Sequence, residues 1–220
     1  MAITVNNDTA IHEAAHCIFA YVASDIFETE LVTCNTSHSK TFDPLSLGGI
    51  KGHLIRNGNK FTFEEHDLII LILLAGMAAD DINDNDGKLH EGLYDNALFL
   101  RKIESNKYSG DFKLLLPHLK RIMNVTRVSQ REYTKSCQKT LHEIFSTEPL
   151  LSVLVQLRHK IVDSPGQTMN GLELREFLNA TELREWKQNQ WPTIAKLRSQ
   201  SMKRRNLIEF LLDIFRIRNK

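Results

Sequence analysis

Apolar residues recur at helical spacing along most of this 220-residue chain. The apolar residues of 8–23 fall on one face of a helix, and any of the three residues at 7–9 can cap its start. A helix is therefore predicted there. Residues 63–81 are apolar on nearly every side and predict a buried helix. The remaining helices are predicted at 90–103, 112–123, 130–145, 150–162, 172–178, 182–190 and 192–215.

The segment 29–56 departs from this pattern. Short runs of β-forming residues are separated there by Ser, Pro and Gly, which predicts a small sheet. A second break falls at Ser164-Pro165-Gly166, just before another short helix. The predicted fold class is therefore mainly α, with a small β-sheet near the N-terminus followed by a helical bundle.

Net charge and cysteine content narrow the class of protein. Lys and Arg number 28 against 27 Asp and Glu, and this balance gives no reason to expect nucleic acid or an acidic membrane as a partner. The three cysteines include no CxxC pair, which argues against a disulfide framework and for a reducing compartment. We expect the basic residues near the C-terminus to form the solvated face of an amphipathic helix.

The chain shows no pattern typical of membrane insertion or secretion. Its most apolar stretch, Leu68–Ala79, covers about twelve residues, whereas a helix that spans a bilayer needs ~20. The first residues lack the basic segment and the long apolar run of a signal peptide. We therefore expect a soluble, cytoplasmic protein without a membrane span.

The candidate chemistry lies in the HExxH motif formed by His12, Glu13 and His16. Positions i and i+4 share one helix face, so both imidazoles can bind one Zn²⁺ ion at ~2.0–2.1 Å. Glu13 lies close enough to take a proton from a zinc-bound water, which then attacks a carbonyl carbon. The motif also recurs by chance, and a His pair on a helix can be purely structural.

Other residues near the motif, or similar to it, receive simpler interpretations. Cys17 follows His16 about 100° further round the helix, and we expect it to be a buried structural thiol. His90 and Glu91 repeat a His-Glu pair, but Tyr94 stands where a second ligand would be needed. The histidines whose spacing suggests no site are His38, His53, His66, His118, His142 and His159.

The order of motifs resembles the peptidase domain of the FtsH-type, membrane-bound AAA proteases. TAIHEAAHC at 9–17 resembles their zinc helix, and LSLGGIKGHLI at 45–55 occupies the place of their short strands with a glycine-containing edge strand. LAGMAADD at 74–81 resembles a GGRAAEE-like string that ends a buried helix. EGLYDNALF at 91–99 matches their aspartate-bearing helix loosely, and residues 157–178 resemble their late helix, turn and short helix.

The resemblance implies a third metal ligand. By position Asp95 would complete a His2Asp set and leave one coordination position open for water. The alternative is that Asp95 is a surface residue of an amphipathic helix. Asp80 and Asp81 are rival ligands; we expect them to cap or terminate the preceding helix, with orientation of an imidazole as a lesser role.

The resemblance also implies a place for the substrate. In such proteases the edge strand beside the site pairs with an extended polypeptide, and Gly48, Gly49 and Gly52 would suit that close approach of two backbones. The alternative is a simple turn at these glycines. The implied substrate is an unfolded or flexible polypeptide.

Two departures from the family limit what the resemblance implies. Ala15 replaces the usual glycine of HEAGH, and no GxxxxGK[ST] loop of an ATPase occurs. The expected protein is a zinc metallopeptidase. Its core is expected at 1–110 and a helical region packed on this core at 111–220. It would work without ATP or depend on a partner ATPase or a homo-oligomer. A catalytically silent interaction or regulatory module and a zinc hydrolase of non-peptide amides are the alternatives.

Overall fold

The computed structural model describes residues 7–35, 49–55, 61–84, 109–126 and 128–202. Within them the chain is mainly helical with a small three-stranded antiparallel sheet, which confirms the predicted fold class at this level. The predicted helix at 90–103 lies outside the described residues, as does the chain after residue 202. The division at residue 110 also stays a prediction.

Helices and strands follow each other in an order close to the predicted one. The helices are α1 (Asn7–Val22), α2 (Phe63–Asp84), α3 (Ser109–Thr126), α4 (Gln130–Phe145), α5 (Leu150–Asp163), α6 (Gly171–Asn179), α7 (Leu183–Asn189) and α8 (191–202). The strands are β1 (Phe27–Thr33), β2 (Gly49–Leu54) and β3 (Thr168–Asn170). No helix in the described ranges is long and apolar enough to cross a membrane.

Reciprocal caps define where two of these helices begin. The Ser129 side chain accepts a hydrogen bond from the Glu132 backbone N–H, and the Glu132 carboxylate accepts one from the Ser129 N–H. Asn170 and Glu173 make the same pair of bonds at the start of α6. Each cap satisfies backbone donors that have no partner within the helix, so these start positions follow from local sequence.

The sheet joins distant parts of the chain in the order β2-β1-β3, with both pairings antiparallel. Val32, fully buried at the centre, pairs with Ile50 on one side and Met169 on the other. A Cβ atom on Gly171 would lie 1.9 Å from the Thr29 carbonyl oxygen, so only glycine lets α6 begin this close to β1.

Helix α2 is the centre of the hydrophobic core. It packs against α1, α3 and α4, while α1 also packs against α5 and β1. The aromatic rings of Phe19 on α1 and Phe145 on α4 meet edge to face, with centroids 5.6 Å apart. The predicted burial of the apolar stretch in α2 is confirmed, because Ile70, Leu71 and Leu74 are almost completely shielded from solvent.

A buried ion pair fastens α8 to this core. The Arg198 guanidinium donates to both carboxylate oxygens of Asp67 on α2, at 2.9 and 2.7 Å, and also to the Thr140 hydroxyl at 2.5 Å. The Tyr133 hydroxyl of α4 donates to the same carboxylate. Because each charged or polar group here has partners, the cluster joins three helices around one buried carboxylate.

Candidate metal centre

His12 and His16 lie side by side on the face of α1 that packs against α2. Their Nε2 atoms are 3.0 Å apart, and their ring centroids are 4.7 Å apart with the planes inclined at 72°. The two positions are i and i+4 of the helix, so their side chains project from the same face about one turn apart. Both rings therefore direct the same nitrogen toward a common point.

The far side of each ring is held by an acceptor on α2. His12 Nδ1 lies 3.0 Å from Asp80 Oδ2, and His16 Nδ1 lies 2.6 Å from the Ile72 carbonyl oxygen. A carbonyl oxygen and an ionised carboxylate can only accept hydrogen bonds, so both Nδ1 atoms carry the proton. In neutral rings with this tautomer, each Nε2 presents a lone pair.

Two lone pairs directed at one another across 3.0 Å repel unless a cation lies with them. That cation is either a proton, which makes one ring an imidazolium, or a metal ion. Two nitrogens bound to one tetrahedral Zn²⁺ at ~2.0–2.1 Å lie roughly 3.3 Å from each other. The observed separation and the donor chemistry therefore fit a zinc ion with only small adjustment of the rings.

Gly76 on α2 leaves room for the two imidazoles. A Cβ atom at this position would lie 2.5 Å from Nε2 of His12 and 2.5 Å from Nε2 of His16. Glycine inside a helix costs about 1 kcal/mol relative to alanine, so a mid-helix glycine signals a close approach of another element. That signal in the sequence could have marked Gly76 as part of the site.

Glu13 lies in the same turn of α1 and is 6% exposed. Burial, followed by the nearby Glu13 carboxylate, raises the pKa of the Cys17 thiol well above its usual range. The same two causes raise the pKa of Cys34, the residue after β1, to about 11. Glu13 is therefore close to the end of β1, and the predicted burial of Cys17 is confirmed.

The expectation that Asp80 and Asp81 cap or terminate their helix is wrong. Helix α2 continues to Asp84, and both carboxylates are buried inside its last turns. Asp80 instead takes the lesser role foreseen for it and contacts His12. The Asp81 carboxylate accepts a hydrogen bond from Gln138 at 3.2 Å and lies 3.6 Å from His142 Nε2. Consecutive residues point about 100° apart on a helix, so the two acids serve different neighbours.

Of the remaining predicted site residues, some lie outside the described residues and the others lie on strand β2. Asp95 and Gly48 lie outside the described residues, as do His90 and Glu91. Within the described ranges, no group of three or more His, Cys, Asp and Glu side chains is arranged to hold a metal ion. Asp95 therefore stays a prediction for the third ligand.

Gly49 and Gly52 belong to strand β2 and lie opposite Thr33 and Thr29 of β1. A Cβ atom on Gly52 would lie 2.4 Å from the Glu28 carbonyl oxygen, so its missing side chain serves the packing of β2 on β1. The alternative of a simple turn does not hold for these two glycines, because both are in the strand. Their contact with a substrate stays a prediction.

No protein-family model matches this chain, and no curated protein matches its sequence. The resemblance to the FtsH-type peptidase domain therefore rests on the motifs quoted above. The geometry of the two helices is what bears on function, since fold alone does not determine it.

Proposed function

We propose that this chain is a zinc metallopeptidase in which His12 and His16 bind the metal, Asp95 supplies the third ligand and Glu13 is the general base. One observation carries the proposal: the two Nε2 atoms meet at 3.0 Å while both Nδ1 atoms donate to acceptors on α2. Such outer partners fix the tautomer of metal-binding histidines in proteins of many folds.

The donor set determines which metal and which reaction are favoured. Two imidazoles and one carboxylate are typical ligands of a catalytic zinc site, which keeps a further position open. When bound, zinc lowers the pKa of a water molecule toward ~7 and polarises the carbonyl group of the substrate. Glu13 accepts the proton of the attacking water and returns it to the leaving amine. Its burial beside the His pair supports this role, because a water-poor surrounding strengthens its interaction with a nearby proton donor.

The substrate we propose is an unfolded or flexible polypeptide. No phosphate-binding loop of an ATPase occurs in these 220 residues, and a partner ATPase would be one way to unfold a folded protein for the site. A homo-oligomer would be a second way to present extended segments to the site. Neither partner is needed for the cleavage of casein, which is flexible already.

Metal analysis combined with Glu13→Gln tests the proposal. Purified protein is expected to contain zinc at about one ion per chain and to cleave casein. Glu13→Gln should keep the zinc and lower cleavage by roughly 10²- to 10⁴-fold, because only the proton acceptor is lost. Glu143→Gln, on the exposed face of α4, is the matched control and should change neither property.

Each alternative has its own outcome in this experiment. Purified protein without bound metal would refute both zinc hydrolase interpretations and favour an imidazole–imidazolium pair that is purely structural. Bound zinc without any hydrolysis would favour the catalytically silent module. Zinc together with cleavage of small amides but not of casein would favour a hydrolase of non-peptide amides.

Asp95→Ala tests the third ligand separately. Loss of one of three protein ligands should reduce the zinc content of the purified protein well below that of the wild type. Asp163→Ala, at the exposed end of α5, is the control for a changed net charge. Unchanged zinc retention in Asp95→Ala would refute the assignment of Asp95 while leaving the His pair in place.

A further inference from the structure

Two other histidines meet at the interface between α2 and α3. Nδ1 of His66 lies 2.9 Å from Nδ1 of His118, and the ring centroids are 5.1 Å apart. In this hydrogen bond one Nδ1 donates its proton and the other accepts it. The contact therefore lasts only while at least one of the two Nδ1 atoms carries no proton of its own.

The surroundings of the pair oppose positive charge. His66 lies in the first turn of α2, where the helix dipole disfavours a cation, and the ring of Phe61 lies 5.8 Å from it. Burial, followed by the charge of Arg121, lowers the pKa of His66. Burial, followed by the charge of His66, lowers the pKa of His118 to about 4. Both rings are consequently neutral at pH 7.

The acidic side chains of α2 in this region are engaged with other groups. Each accepts a hydrogen bond from a residue outside the pair, and no described carboxylate is among the causes that shift the pKa of His66 or His118. These acids and their partners are Glu64 with Ser199, Glu65 with Thr62, and Asp67 with Arg198. The neighbouring acids thus do little to compensate a second charge on the imidazoles.

Among the described residues, the charged groups of the other packed helices do not compensate it either. On α3 the residues that follow His118 include Lys120 and Arg121, both cationic. On α4, which also packs on α2, the ionisable side chains of Tyr133 and Cys137 lie in the cluster around Asp67. A doubly protonated pair would therefore place two cations 2.9 Å apart beside a third.

We propose that the His66–His118 pair is an acid-sensitive contact that holds α3 against α2 at neutral pH and releases it when both rings are protonated. Because packing lowers both pKa values, a histidine ring released from the contact binds a proton at a higher pH than a ring within it. The contact therefore contributes fully to the free energy of unfolding above about pH 6.5, the ordinary pKa of histidine. This contribution is lost as the pH falls toward 4. The pair lies outside the candidate metal centre, so the proposal is independent of peptidase activity.

Hydrogen–deuterium exchange of the α3 backbone amides tests this proposal. In the wild type we expect protection, corrected for the intrinsic exchange rate, to fall about tenfold between about pH 7 and pH 4.5. His118→Asn keeps a polar atom near the position of Nδ1 but cannot become a cation. Its α3 protection should therefore change much less over the same range.

His159→Asn is the matched control, because His159 is exposed on α5 and makes no part of the contact. It should behave as the wild type does. Equal α3 protection of the wild type at both pH values would overturn the proposal, and so would an equal loss in His118→Asn. If His118→Asn does not fold, the ring pKa values of the wild type measured by NMR decide: values of about 6.5 or higher for both histidines are incompatible with the contact.

Discussion

At the scale of single residues, the candidate metal centre depends on what holds the far side of each imidazole. His12, Glu13 and His16 could be found from their spacing alone, because i and i+4 share a helix face. The acceptors for the two Nδ1 atoms come from α2, more than fifty residues away in sequence. One of them, the Ile72 carbonyl, belongs to the backbone, so the identity of residue 72 gives no indication of this contact.

Asp80→Asn should weaken zinc binding about 10- to 100-fold, the usual effect of changing a group that orients a metal-binding histidine. The neutral amide can still accept a hydrogen bond, but it no longer increases the electron density on the His12 ring. The dissociation constant can be measured by competition with a chromophoric chelator.

Asp81→Asn serves as the control, since the neighbouring carboxylate faces Gln138 and His142 of α4. It should lower the free energy of unfolding and leave the zinc affinity close to that of the wild type. Equal losses of zinc affinity in both variants would mean that general negative charge, and not orientation of His12, accounts for the effect.

Gly76→Ala should abolish stoichiometric zinc binding. The added Cβ atom would lie 2.5 Å from both Nε2 atoms, so the rings must move by about 1 Å to reach an ordinary contact distance. Zinc–ligand distances tolerate only about ±0.2 Å. Zinc content is the measurement, with the far-UV circular dichroism spectrum recorded to verify that the helices persist.

Gly171→Ala separates this effect from general damage to the fold. Its Cβ atom would meet the Thr29 carbonyl oxygen in the sheet and should lower stability while zinc stays bound. A Gly76→Ala protein with full zinc content would show that the rings have another position available to them.

At the scale of helices and strands, the long periodic segments were predictable and the short or tertiary features were not. Strand β3 has only three residues, Thr168–Asn170, and no alternation that could reveal it. It forms because it pairs with β1, and this pairing cannot be predicted from the three residues themselves. The end of α2 was missed for a related reason: Asp80 and Asp81 look like helix-terminating acids until their partners on α1 and α4 are known.

The contact between His66 and His118 illustrates the same limit. The two residues are 52 positions apart, on helices whose individual periodicity was evident in the sequence. Periodicity identifies which face of a helix is buried, but it does not say which residues of two helices lie opposite each other. Side-chain pairs across helices therefore had to come from the structure.

Arg198→Met should lower the free energy of unfolding by about 3–5 kcal/mol, because it leaves the Asp67 carboxylate buried without its cation. The measurement is a urea titration with linear extrapolation to water. Arg175→Met is the contrasting variant, since its pair with Glu28 is half-exposed, and it should cost at most about 1 kcal/mol. Similar losses for both arginines would show that the buried pair does not anchor α8.

At the scale of the whole molecule, one core connects both halves of the chain. Helix α1 packs against α2 and β1 from the first half and against α5 from the second. The three cysteines lie within this core, and each is almost completely shielded from solvent. Their thiols therefore report on the integrity of the entire fold.

Native protein at pH 8 should react with Ellman's reagent at least about 100-fold more slowly than protein in urea. Burial raises the pKa of Cys34 and of Cys137 to about 11 and that of Cys17 well above its usual range, so little thiolate is present. The rate should rise as the pH approaches 11. A thiol that reacts quickly in native buffer would contradict the packing described for its helix or strand.

The pairing of β3 with β1 has a consequence for the order in which the protein is made. Residues 27–33 leave the ribosome long before residues 168–170 exist, and the same holds for α1 and its neighbour α5. Translation proceeds at about 5–20 residues per second, so several seconds pass between the synthesis of α1 and that of α5, which packs against it. The groups that contact the two imidazoles belong to α2, 56 and 68 residues further along, so they are available before α5 and β3 pack against α1 and β1.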